Sequence, residues 1–187
     1  MPALDTAYLI VTGTGASEAT APQLLAGLAE RFPRVITIPT PNASRTLNRF
    51  ALSRLPGHQL VESYFDAAIL PRPADGLVLV APCGFNSLNK LAQGIADTLA
   101  LSVAAEAIGR GTPVVVGIAC NTPLWAHPRA PESAAILRRW GCHVLDPVRD
   151  GDRTILAPVA AILAAVDRAM GERGACAAAV TSVAATP

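Results

Sequence analysis

The sequence predicts a single α/β domain: a doubly wound, Rossmann-like parallel sheet with helices on both faces. Three observations predict it. Short, nearly continuous apolar runs recur along the chain; the first three are closed by Gly or Pro; and segments of helical periodicity lie between the runs. Unbroken apolar runs mark strands buried on both faces. Helices alternating with them make right-handed crossovers between parallel neighbours.

The first run, 7–12 (AYLIVT), ends in Gly13-Thr14-Gly15. A helix is expected over 17–31, with Ser17 as N-cap and Leu24, Leu25 and Leu28 on one face. A second strand at 35–38 stops at Pro39 and Pro41, and 44–55 follows as a helix closed by Pro56-Gly57. Residues 58–75 carry no clear pattern, and Pro71 and Pro73 mark a loop there. The run 76–81 (GLVLVA) is a third strand, broken by Pro82. Leu88, Leu91, Ile95 and Leu99 keep helical spacing, so 87–110 reads as the longest helix. Strands at 113–118 and 142–145, a helix at 132–140 and a last helix at 159–170 complete the alternation. Beyond Gly171 the chain is rich in Ala, Ser and Thr, and 173–187 is expected to be a flexible tail on a domain spanning 1–172.

Composition bounds the function. The 187 residues are 51% hydrophobic and only 16% charged, enough apolar material for one sizeable core. The formal net charge is +1 and the basic residues are dispersed, so no nucleic-acid footprint is present. No apolar run approaches the roughly 20 residues of a membrane span. The N-terminus has no basic region followed by an apolar one, and a cytoplasmic location is the expectation. Cys83, Cys120, Cys142 and Cys176 are scattered without metal-ligand spacing, so no metal is expected and the thiols should be free.

In doubly wound sheets, ligands sit beyond the carboxyl ends of the strands. Four loops therefore matter: 13–17, 39–44, 82–87 and 119–125. Gly13-Thr14-Gly15-Ala16-Ser17 joins a strand to a helix, where bare amides and the hydroxyls of Thr14 and Ser17 suit a phosphate. Glu18 occupies the third glycine position of a dinucleotide fingerprint, so the loop fits a mononucleotide, or else is an ordinary tight turn. Pro39-Thr40-Pro41-Asn42-Ala43-Ser44 alone reads as a helix cap, with Ser44 as N-cap.

The remaining two loops carry a family likeness. Pro82-Cys83-Gly84-Phe85-Asn86-Ser87, continued by Leu88-Asn89-Lys90-Leu91-Ala92 and Gly94-Ile95-Ala96-Asp97, resembles the P-A-S-A-N-T loop and following helix of the flavin-containing cysteine decarboxylases. That family includes phosphopantothenoylcysteine decarboxylases and the peptidyl-cysteine decarboxylases of lantibiotic pathways. Ile118-Ala119-Cys120-Asn121-Thr122-Pro123-Leu124-Trp125 resembles its P-x-M-N-x-x-M-W segment, with Ile118 in place of the proline and Cys120 in place of the methionine.

The resemblance implies FMN as cofactor. Gly13, Thr14, Ser17 and Thr40 would hold its phosphate and ribityl groups, and Cys83, Gly84, Asn86 and Ser87 would line its ring. It also implies oxidative decarboxylation of a cysteine at a peptide C-terminus or on a small-molecule thiol. Asn86 would be catalytic, Asn121 and Trp125 would contact substrate, and the subunits would assemble as homotrimers or homododecamers. The family's acid–base histidine falls near Ala68, and no histidine lies between Val61 and Pro82. His58 is expected on a solvated turn. The interval 147–158, where the family places a substrate clamp, is short and keeps only Arg153. A non-catalytic flavin-binding regulatory subunit, or an FMN protein of other chemistry, is the alternative implied by these departures.

Overall fold

In the computed structural model, residues 4–45, 47–48, 52 and 57–184 are described, with 173–184 as backbone only. The apolar runs form strands β1 (Thr6–Val11), β2 (Arg34–Pro39), β3 (His58–Leu60), β4 (Leu77–Cys83), β5 (Val114–Ile118) and β6 (His143–Leu145). They make one parallel sheet in the order β3-β2-β1-β4-β5-β6. The order reverses between β1 and β4, which is the topological switch point of such sheets.

Alternation of side chains along each strand divides the core in two. Tyr8, Ile10, Ile36, Ile38, Val78 and Val80 point to one face, where they pack beneath helices α2 (Phe85–Ala92), α3 (Leu99–Arg110) and α5 (Arg129–Arg139). Ala7, Leu9, Val11, Leu77 and Leu79 point to the other, against α1 (Ser17–Ala29) and the last helix, α6 (Val159–Ala184). α1 and α6 are further joined by Arg31, whose guanidinium donates to both Asp167 oxygens at 2.7 and 3.0 Å. Among the described residues no helix is long and apolar enough to cross a membrane.

The structure departs from expectation in several places. The helix expected over 87–110 is two helices. α2 stops at Ala92, and Gly94 (φ +71°) takes the left-handed conformation that only glycine enters without cost. The Ile95 amide donates to Lys90 O and the Gly94 amide to Leu91 O, closing the helix end. Thr98 then caps α3, its Oγ1 accepting from the Leu101 amide at 3.3 Å. Ser17 is the first residue of α1 rather than its cap, because Oγ donates back to Thr12 O at 2.6 Å. Ser44 does not cap a helix; its hydroxyl donates to Glu62 at 2.6 Å. Of the helix expected over 44–55, Ala43–Arg45 is a 3-10 turn and the rest lies mostly outside the described residues. α5 begins three residues earlier than expected, and α6 runs on to Ala184 through the Ala-rich segment.

His58 is not on a solvated turn. It opens β3, half-buried, with Nε2 against Thr37 Oγ1 at 2.9 Å, and burial pushes its pKa below the usual imidazole value. The interval 147–158 holds a two-stranded antiparallel hairpin, β7 (Val148–Asp150) and β8 (Arg153–Ile155), turning at Gly151.

Candidate functional site

A cleft of about 560 Å³ opens at the carboxyl edge of the sheet, over the switch point. Its floor comes from the loops after β1 and β2. Gly13 lets them touch: a Cβ there would lie 2.7 Å from Asn42 Cβ. Thr12 joins the loop after β1 to the one after β4. Its Oγ1 donates to Pro82 O and accepts from the Gly84 amide, both at 2.8 Å. The sequence reading passed over Thr12; the one polar residue closing an apolar run was its signal.

The loop at 13–17 is held by Ser17. Its Oγ accepts from the Thr14 amide at 3.1 Å and lies 3.0 Å from Thr14 Oγ1. Gly15 and Ala16 amides have no partner among the described residues, so two donors remain at the mouth of α1. Thr40, Pro41 and Asn42 complete this end.

The opposite wall is α2. Gly84 is its N-cap residue, and Phe85, Asn86, Ser87 and Lys90 face the cleft. Asn86 is exposed and its amide makes no hydrogen bond among the described residues, so it does not cap the helix. α2 is anchored from behind by Leu88 and Leu91 in the core and by Ser133 of α5, which donates to Asn89 Oδ1 at 2.8 Å. Phe85 stands edge-on to the His127 ring, with centroids 5.3 Å apart.

The far end is the loop after β5. Asn121 Oδ1 accepts from the Leu124 amide at 3.0 Å, capping the short helix α4 (Thr122–Ala126). That bond fixes the amide plane and leaves Nδ2 to donate. Thr122 ties the hairpin to α4, with Oγ1 at 3.1 Å from Asp152 O and 3.0 Å from Thr154 Oγ1.

Of the residues singled out in sequence, Gly13, Thr14, Thr40, Gly84, Asn86, Ser87 and Asn121 line the cleft together. Three do not. Ser17 is fully buried and spends its hydroxyl on the loop. Cys83 is the last residue of β4, and a register shift between Val80 and Cys83 turns it to the face of Val78 and Val80, into the core, where burial holds its thiol pKa far above the ordinary range. Trp125 packs against the core, and Leu124, one position earlier on α4, takes the cleft side. Cys120 does line the cleft, with its pKa pushed up to about 11 by burial. His127 accepts from the Arg129 amide through Nδ1, and His143 lies 3.6 Å from Glu172, so neither reaches the cleft.

Fold and cleft together define a doubly wound α/β protein whose ligand site lies at the switch point of the sheet. Comparison with known proteins narrows this. The chain belongs to the flavoprotein family, whose model it matches over residues 5–171. It is 34% identical over 125 residues to the coenzyme A biosynthesis bifunctional protein CoaBC of Mycobacterium bovis, covering 64% of this chain and 29% of that one. It is also 34% identical over 111 residues to the phosphopantothenoylcysteine decarboxylase of Mus musculus, covering 56% of this chain and 53% of that one. The chain thus spans about half the length of the mouse relative and under a third of the bifunctional one. Among solved structures, the FMN binding protein AtHal3 superposes with a TM-score of 0.74 at 20% identity, covering 87% of this chain and 95% of that one. The peptidyl-cysteine decarboxylase EpiD gives 0.73 at 17% identity, covering 87% and 98%. At such identities these two likenesses speak for the fold.

Proposed function

We propose that this chain is an FMN-dependent oxidative decarboxylase acting on a cysteine, at a peptide C-terminus in preference to a small-molecule thiol. The observation that carries it is the lining of the cleft. Donors at one end, Asn86 projecting unpaired from one wall and the free Nδ2 of Asn121 at the other end suit a planar cofactor with a phosphate tail and a carboxylate-bearing substrate. The volume is also within the range of small-molecule sites, roughly 300–1,000 Å³.

In this reading Gly13, Thr14 and Thr40, with the bare amides of Gly15 and Ala16, hold the phosphate and ribityl groups. Gly84, Asn86 and Ser87 line the ring; Ser17 and Cys83 support those loops from behind. Bound FMN supplies the two-electron acceptor. Asn86 orients the cysteine side chain by hydrogen bonding as a hydride leaves its β-carbon and the thiol gives up its proton to water at the open side of the cleft. The resulting C=S group is β to the carboxylate, so loss of CO₂ leaves the electron pair on an enethiolate. Asn121 Nδ2 holds the substrate carboxylate or the preceding peptide group without adding charge. The hairpin at 148–155, roped to α4 through Thr122, covers the peptide.

A second reading has its own observation. The described lining holds no histidine and no carboxylate, and burial pushes its one thiol, Cys120, up to about 11. A flavin-binding regulatory subunit of an active homologue would need no acid–base group. In the first reading the protein is a cytoplasmic homo-oligomer, trimer or dodecamer, for which the exposed Tyr64, Phe65 (88% exposed) and Leu70 offer contact surface; sedimentation of the holo-protein checks this.

The test is direct. Purified protein should show a flavin spectrum and convert cysteine-ending peptides to products lighter by CO₂ and two hydrogens. Asn86→Ala should abolish turnover with unchanged stability, since the amide has no structural partner. A yellow protein that converts no such peptide alone, but does so when mixed with a homologue, selects the second reading. Undiminished turnover in Asn86→Ala refutes the role given to it.

A further inference from the structure

Lys90 is the one basic side chain among the described residues that line the cleft, which include no carboxylate. It lies one helical turn beyond Asn86 on the same face of α2, since residues four apart are neighbours on a helix. Its ammonium is held in place: Nζ donates to Asp97 Oδ2 at 2.5 Å, across the joint at Gly94. An ammonium has three donors, and this bond uses one. The others are left beside the wall that Gly84, Asn86 and Ser87 form. Asp97 is not in the lining, so the pair presents its positive end to the cleft.

The phosphate end of the cleft is already provided for by the loops at 13–15 and 40–42, which carry no cation. The positive charge belongs instead to the wall assigned to the ring. An oxidised isoalloxazine is neutral there. After it accepts a hydride, two electrons with one proton, it carries one negative charge. Under the function proposed above the hydride comes from the β-carbon of the cysteine, and the sulfur proton leaves separately.

We propose that Lys90, positioned by Asp97, is the electrostatic residue that favours the reduced, anionic flavin over the oxidised one. The inference rests on the flavin reading of the cleft. It makes Lys90 a determinant of the cofactor's potential rather than of its affinity in the resting state.

The test uses FMN-loaded protein and reads a potential, not turnover. Wild type, Lys90→Met and Lys90→Arg are first titrated with FMN. Each is then reduced anaerobically with dithionite against a reference dye. The expected result is similar affinity for oxidised FMN in all three. In Lys90→Met the preference for reduced over oxidised flavin should fall about tenfold, a midpoint about 30 mV lower for a two-electron couple. Lys90→Arg, which keeps the charge, should keep the wild-type midpoint. A wild-type midpoint in Lys90→Met overturns the inference even if turnover falls, because the charge would then serve the substrate. Equal drops in both variants overturn it as well, since packing and not charge would be responsible. Wild-type protein with no affinity for FMN removes the flavin reading itself, an outcome visible before any potential is measured.

Discussion

Replacing Thr12 by valine removes a hydroxyl while keeping the shape of the side chain. The residue is 2% exposed and sits where β1 and β4 diverge. Two hydrogen bonds of 2.8 Å are lost, one to Pro82 O and one from the Gly84 amide. Pro82 O keeps a longer bond from the Thr12 amide, at 3.3 Å, so the larger loss falls on the Gly84 amide. An orphaned donor costs about 1–3 kcal/mol. Gly84 is only half-buried and its amide can recruit water, which places Thr12→Val near the lower end of that range. Thr12→Ser keeps the hydroxyl but loses a buried methyl, about 0.8 kcal/mol. Urea unfolding will therefore show both variants as destabilised by comparable amounts. FMN titration separates them. Only the valine variant frees the loop after β4 from the loop after β1, and if about 1 kcal/mol of the cost falls on placing those loops its affinity drops about fivefold. Wild-type affinity in Thr12→Val, or equal weakening in Thr12→Ser, would refute the view that this hydroxyl sets the width of the cleft.

Two further outcomes follow from side-chain bonds described above. Thr122→Val removes the bridge to Asp152 O and Thr154, and amide exchange over 148–155 should quicken by about fivefold, as expected for a tether worth about 1 kcal/mol; exchange unchanged there, measured by mass spectrometry, contradicts the tether. Arg31 holds the Asp167 carboxyl below its usual pKa by hydrogen bonding. A depressed carboxylate pKa contributes stability that is present above the unfolded value of about 3.9 and lost as pH falls through the folded one. Asp167→Asn should thus cost under about 1 kcal/mol at pH 7, given the pair's exposure, and the gap to wild type in thermal unfolding should close below about pH 4; a gap that persists in acid refutes the assignment.

The parallel sheet was legible because β1, β2, β4 and β5 are unbroken apolar runs, and the four loops that face the ligand follow from their order. The break at Gly94 was not, because Leu88, Leu91, Ile95 and Leu99 keep helical spacing straight through it. In the structure Ile95 is 42% exposed while its three companions are buried. Periodicity records which residues are apolar and is blind to a turn that keeps the beat. Gly94 and the capping Thr98 were the local signals against continuity. The hairpin at 148–155 had a signal too, since Asp150-Gly151 is a turn-forming pair. Ser17, Cys83 and Trp125 show the limit at the site. Each lies in the right segment, but Ser17 turns its hydroxyl back onto Thr12 and Thr14 of its own loop, Cys83 is turned inward by a break in the register of β4, and Trp125 packs into a core built by distant segments. Lys90 and Leu124 escaped notice because a charge or an aliphatic on a helix is the commonest surface feature, and only the cleft gives either one a role.

The joint at 93–98 separates two duties that one continuous rod would have fused. α3 spans the sheet and is bound to the interior along its length; α2 is a short lever hinged beside the opening, with its own fastening to α5. Residues added to or taken from that joint would swing the lever without disturbing the span, so the shape of what the opening admits can drift while the scaffold beneath it stays fixed.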